Sequence, residues 1–167
     1  PTTPAPPPLS SPPPLHFVKS DSPHTNLPGS QVADLVAQAF LAQTKRADVA
    51  IQNGGGARAN IPQGKFTVAG ATKVLPFSNT MVNLQMTGAE VKKVLNQAVD
   101  KAYAEYVDNS AKGSDGAYPY AAGIRYDVDF NRPEGQRVHN VEVKAKGDGS
   151  WSKLSDNREL IVVTNDY

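Results

Sequence analysis

Three features of the sequence predict an α+β domain of layered mixed sheets with two to three helices. Two stretches carry apolar residues at helical spacing behind polar caps. One run alternates apolar and polar side chains, and short apolar runs near the C-terminus are separated by Gly- and Pro-containing turns. At 167 residues and 17.8 kDa the chain suits one domain with a real core. Seventeen basic against sixteen acidic residues give a formal charge of +1, with no dense basic run. That balance argues against non-specific binding to nucleic acid or to a membrane surface. No apolar run reaches the roughly 18 residues of a membrane span. The first residues lack a signal-peptide pattern, so a mature or excised segment and a cytosolic protein both fit. Cysteine is absent, which removes disulfides, thiolate catalysis and Cys-ligated zinc.

Pro1 to Pro14 holds eight of the fourteen prolines. Residues 1–28 therefore read as a proline-rich arm or linker of extended geometry, and residues 29–167 as the folded domain. Ser30 is the expected N-cap of a first helix with Val32, Leu35, Val36, Ala39 and Phe40 on one stripe and Lys45-Arg46 at its end. Asp48 to Gln52 reads as a buried strand that runs into Asn53-Gly54-Gly55-Gly56-Ala57-Arg58. Residues 69–74 allow one helical turn, 75–79 a loop, and 82–86 a strand. Thr87-Gly88-Ala89-Glu90 has the form of a capping box, and Val91, Val94, Leu95, Ala98 and Ala102 supply the stripe of the helix behind it. Residues 106–120 read as a polar loop. Strands at 124–130 and 138–144 flank an Asn131-to-Gly135 turn as an antiparallel hairpin, and a last strand covers 160–164.

The glycine run is the most chemical-looking stretch. Three glycines permit positive φ and close approach of a ligand, their N–H groups could form an anion-binding concavity, and Arg58 adds a charged fork. A tight turn after a buried strand is the plain alternative. Gly54, Gly56 and Ala59 match a dinucleotide fingerprint in letters, but Ala59-Asn60-Ile61-Pro62 breaks the helix that it needs. Gly64-Lys65 is followed by Phe66, so there is no phosphate loop. Asp127, Asp129 and Asn131 imitate the start of a calcium loop, yet position six is Arg132 and position twelve Val138, and the outward face of a strand explains them better. Ser150 to Lys153 and Ser155 to Asn157 imitate β-lactamase motifs in a turn region, too close together to act as such. His16, His24 and His139 are scattered without carboxylate partners, so no two-metal hydrolytic centre is encoded.

Taken in order, Asn53-Gly-Gly-Gly-Ala-Arg58, Leu75-Pro-Phe-Ser-Asn79, the Thr87 capping box, Gly123 to Asp129 and Val163-Thr-Asn-Asp-Tyr167 resemble the C-terminal substrate-binding domain of the 5′-nucleotidase family. The resemblance runs from about Ser30 to Tyr167. It implies a nucleotide- or nucleoside-recognition domain, not hydrolytic alone. The divalent metals would sit in a separate calcineurin-like metallophosphatase domain of an extracellular or periplasmic parent. By motif, Asn53, Gly55 and Arg58 would contact the ligand, with Phe77 and Tyr167 as the ring pair that sandwiches the base. Stacking on a ring contributes about 1–3 kcal/mol per base and tolerates any base. Two departures stand out. No Arg precedes the first helix, where His24 or Asn26 would have to serve. The family's Gly-Gly-Asp-Gly-Tyr-like segment, whose Asp meets the sugar hydroxyls, would follow Tyr167, so part of the pocket is expected to be missing. The alternative reading is a non-catalytic assembly subunit of the same fold, its proline-rich arm docking a neighbour.

Overall fold

The computed structural model describes residues 30–62, 64–108 and 116–167. The proline-rich arm, His24 and Asn26 lie outside the described residues, as do residue 63 and residues 109–115 of the expected 106–120 loop. Helix α1 spans Gln31–Gln43 and strand β1 Val49–Asn53, followed by a single 3₁₀ turn at Gly54–Gly56. Helix α2 covers Val68–Val74, strand β2 Met81–Thr87 and helix α3 Gly88–Asp108. Strands β3 (Pro119–Ala122), β4 (Ile124–Val128), β5 (Val138–Lys144), β6 (Trp151–Lys153) and β7 (Glu159–Asn165) complete the chain.

The strands form two sheets, ordered β2-β7-β1-β3 and β4-β5-β6. Side chains alternate along the central strands and divide the core. Val49 of β1 and Val162 of β7 join Val91, Leu95 and Val99 of α3 and Val143 of β5 in one cluster. Their neighbours Ala50 and Val163 join Ala37 of α1 and Ala122 of β3 in a second. The four-stranded sheet thus has α1 on one face and α3 with the smaller sheet on the other, as an α+β layered fold requires.

Both helix starts follow their sequence signals. The Ser30 hydroxyl accepts the Ala33 N–H at 3.1 Å. At α3, Glu90 Oε2 accepts the Thr87 N–H at 2.7 Å while Thr87 Oγ1 accepts the Glu90 N–H at 3.3 Å, a reciprocal capping box. The stripes are rotated from those expected. Ala33 and Ala37 of α1 are buried in place of Ala39, because small side chains let the helix sit against Ala50 and Ala122. On α3, Val99 is buried while Val94 is exposed. The expected hairpin is present, with β4 and β5 antiparallel, although β4 ends at Val128 and Asp129 turns to accept the Asn131 N–H. Asp129 and Asn131 therefore belong to that turn and not to a strand face. Two strands were not expected: β3, whose first two residues fall in the segment read as loop, and β6, in the region read as a turn.

The sheet topology decides where loops gather. β1 and β7 run parallel, pairing Val49 with Val162, so their carboxyl ends at Asn53 and Asn165 lie side by side. β2 and β3 run antiparallel to them, pairing Met81 with Asn165 and Pro119 with Asn53. The segments that enter β2 and β3 therefore reach the same end of the sheet. α3 starts at the opposite end, and its 21 residues span roughly 31 Å at 1.5 Å per residue, enough to return its C-terminal turns to the loops.

Candidate ligand-binding cleft

At that end the chain forms a cleft of about 420 Å³, within the range of small-ligand sites. Asn53, Gly55, Arg58, Phe77 and Tyr167, all singled out from sequence, line it together. They come from three separate segments that only the strand order unites. Gly56, Asn79, Lys101, Glu105, Gly116 and Ala117 complete the wall, and none of these was singled out as a site residue in advance. A smaller cavity of about 200 Å³ adjoins it through Gly56, Phe77 and Asn79.

The glycine turn differs from expectation in two ways. None of its residues has positive φ, since the run forms one 3₁₀ turn. Nor is it an open anion cradle. The Gly54 and Gly55 N–H groups donate to the carbonyls of Tyr118 and Gly116, each at 2.9 Å, and the Arg58 N–H donates to that of Val74 at 2.8 Å. Glycine is required for closeness instead. A Cβ on Gly56 would stand 2.0 Å from Gln52 Nε2, and one on Gly55 3.1 Å from the Gly116 Cα. The turn is tied down so that its Cα surface, and the side chains beside it, face the cleft.

Behind the turn lies an amide network invisible in the motif. Gln52 is 1% exposed; its Nε2 donates to the Asn53 carbonyl at 3.1 Å. Asn165 Nδ2 donates to Gln52 Oε1 and Asn53 Oδ1, both at 2.9 Å, and Asn165 Oδ1 accepts the Tyr167 N–H at 3.3 Å. A buried polar group stays only when so satisfied. The network fixes the Asn53 side chain and leads the chain into Tyr167. Asp166 points the other way: its carboxylate accepts the Thr80 hydroxyl at 2.6 Å and the Thr80 N–H at 3.0 Å. Those bonds, the hydroxyl's first, hold its pKa below the ordinary aspartate value. They also pin the end of β7 to the segment carrying Phe77.

The two rings are open to solvent, Phe77 at 53% and Tyr167 at 93% exposure. Across the cleft, Arg58 and Lys101 supply positive charge and Glu105 negative charge, and none of the three makes an ion pair among the described residues. No group of three His, Asp or Glu side chains among the described residues is arranged to hold a metal ion. Among the described residues no helix is long and apolar enough to cross a membrane.

Comparison with known proteins gives this geometry a family. The model of the 5′-nucleotidase C-terminal domain matches residues 12–167. The NAD 5′-nucleotidase of Haemophilus influenzae is 39% identical over 148 residues, covering 85% of this chain and 23% of its own length. A trifunctional nucleotide phosphoesterase of Bacillus subtilis is 31% identical over 147 residues, covering 86% of this chain and 9% of its own. Among solved structures, the Haemophilus influenzae NAD nucleotidase superposes with a TM-score of 0.73 at 40% identity, over 83% of this chain and 23% of that one. A 5′-nucleotidase precursor from Thermus thermophilus superposes with a TM-score of 0.68 at 34% identity, over 82% and 25%. The chain spans less than a quarter of the length of these curated relatives.

Proposed function

The chain belongs to the 5′-nucleotidase family as its C-terminal domain, and we propose that it binds the nucleoside part of a nucleotide in the cleft between Phe77 and Tyr167. In this reading the base enters between the two rings, Asn53 and Gly55 meet it along the glycine turn, and Arg58 holds the phosphate or sugar oxygens. The domain positions the ester, and a metal-activated water held by a separate metallophosphatase domain attacks phosphorus. The parent is an extracellular or periplasmic enzyme of nucleotide catabolism. The arm of residues 1–28 joins the two domains as a linker.

One observation carries the reading: five residues scattered from Asn53 to Tyr167 in sequence line a single cleft. Support comes also from relatives whose names describe nucleotidases and nucleotide phosphoesterases. Titration with AMP, followed by tyrosine fluorescence or amide chemical shifts, should give saturable binding that Phe77→Ala weakens on the order of tenfold, the value of one lost stack. A variant that binds AMP as the parent chain does would contradict it.

The assembly reading keeps one supporting feature. β2 is an edge strand of seven residues without a charge or proline, and its Met81 and Leu84 are 43% and 46% exposed. Edges are ordinarily blunted against pairing by such residues. Light scattering across a concentration series should show an oligomer if that edge docks a second copy, and a constant monomer mass if it does not.

A further inference from the structure

Phe77 and Tyr167 stand on segments that meet at one pair of residues. β2 and β7 pair in regular antiparallel register up to Met81 and Asn165, and the next pair along is Thr80 with Asp166. There the ladder changes. The Asp166 N–H still donates to the Thr80 carbonyl at 3.1 Å. The Thr80 N–H, however, donates to Asp166 Oδ1 at 3.0 Å, and the Thr80 hydroxyl to Oδ2 at 2.6 Å. A carboxylate thus takes the place of the main-chain acceptor that an antiparallel pair normally offers, and the chain leaves the sheet at Asp166. The next residue is Tyr167, whose N–H donates to Asn165 Oδ1 at 3.3 Å. On the other strand, Phe77 lies just ahead of Thr80 on a segment hydrogen-bonded only at its ends. The Leu75 N–H closes α2 on the Ala71 carbonyl at 2.9 Å, and among the described residues no hydrogen bond is made by residues 76–79.

We infer that Thr80 and Asp166 are positioning residues for nucleoside binding: their three mutual hydrogen bonds set the spacing of the Phe77 and Tyr167 rings before a base arrives. The inference rests on the nucleoside-binding reading above. Neither residue lines the main cleft, so both act through the rings and not on the ligand. Tyr167 is 93% exposed, so its ring has little packing to hold it. A ring that must be ordered on binding costs affinity, whereas one already held in place does not. Bonds to an ionised carboxylate are the strong kind, which suits an exposed clamp. Because stacking tolerates any base, a device that sets the gap acts on all nucleosides alike.

The test measures adenosine and uridine binding to the full chain, to Asp166→Ala and Asp166→Asn, and to Phe77→Ala with and without Asp166→Ala. Circular dichroism confirms that each variant folds. Asp166→Ala should weaken both ligands by the same factor, on the order of fivefold, the value of the lost hydrogen bonds. Asp166→Asn should retain most of the parent affinity, because its Oδ1 accepts the Thr80 N–H and its Nδ2 donates to the Thr80 hydroxyl. Added to Phe77→Ala, Asp166→Ala should weaken binding by less than about twofold, since a gap that has lost one ring has no spacing left to set. Undiminished binding by folded Asp166→Ala would overturn the inference, as would a loss confined to one base. So would an Asn variant as weak as the Ala variant, or a loss that adds in full to that of Phe77→Ala. Absence of adenosine binding to the parent chain would instead overturn the nucleoside-binding reading itself.

Discussion

At the scale of single residues, glycine at position 56 is a packing requirement. Its missing Cβ leaves room for the Gln52 amide, which is buried and bonded to both Asn53 and Asn165. Gly56→Ala should therefore displace the network and destabilise the fold by about 1–3 kcal/mol, the usual cost of overpacking, as a lower urea midpoint with unchanged slope. Asp166 predicts a pH effect of defined sign. Its bonds to Thr80 hold the folded-state pKa below the unfolded value. Its contribution to stability is then complete above the unfolded pKa and is lost as pH falls through the folded one. Urea midpoints measured from pH 6 down to about pH 2 should fall less steeply for Asp166→Asn than for the parent chain. Equal slopes would show that the Thr80 contact is inconsequential for stability.

At the scale of elements, α3 is the part that binds the two sheets together. Its apolar stripe fills the larger core cluster, Asn96 accepts the Val138 N–H at 2.9 Å, and Tyr103 stacks on Phe130 at 5.0 Å. The Asp100–Arg137 pair is only 10% and 14% exposed, with the guanidinium 4.5 Å from the Tyr103 ring centroid. Removing one partner strands a buried charge, so Asp100→Ala should cost about 3–5 kcal/mol. Asp100→Ala combined with Arg137→Met should recover part of it in a thermal or urea denaturation series.

Elements also show what could be read in advance. Ser30 and the Thr87–Glu90 box announced both long helices because capping is local chemistry, complete within four residues. β3 was hidden because Pro119-Tyr-Ala-Ala has neither alternation nor β-branched residues. It is a strand by virtue of pairing with β1, and Pro119 is tolerated as the first residue of an edge strand. β6 is three residues long and exists through β5. In the cleft, motif residues beside turns were legible, whereas Lys101 and Glu105 belong to no motif. Nothing in their spacing tells that α3 returns to the loop end. The roles of Gln52 and Asn165 likewise depend on a contact between positions 113 residues apart.

At the scale of the whole molecule, one topological fact builds the cleft: two parallel central strands flanked by antiparallel edges bring one end of each of the four strands to the same end of the sheet. The cleft is then a property of the fold as a whole, and Trp151 of the smaller sheet, with Arg125 4.5 Å from its ring, lies outside its lining. Chemical-shift mapping of the 167-residue chain with adenosine tests this most directly. Saturable shifts should concentrate at Asn53 to Arg58, Phe77 to Asn79, Lys101 to Glu105 and Tyr167, leave Arg125, Glu142 and Trp151 unmoved, and weaken together in Phe77→Ala. Shifts that fail to saturate at roughly millimolar ligand, a weak limit for any specific site, would contradict the account, as would shifts centred on the β4-β5-β6 sheet.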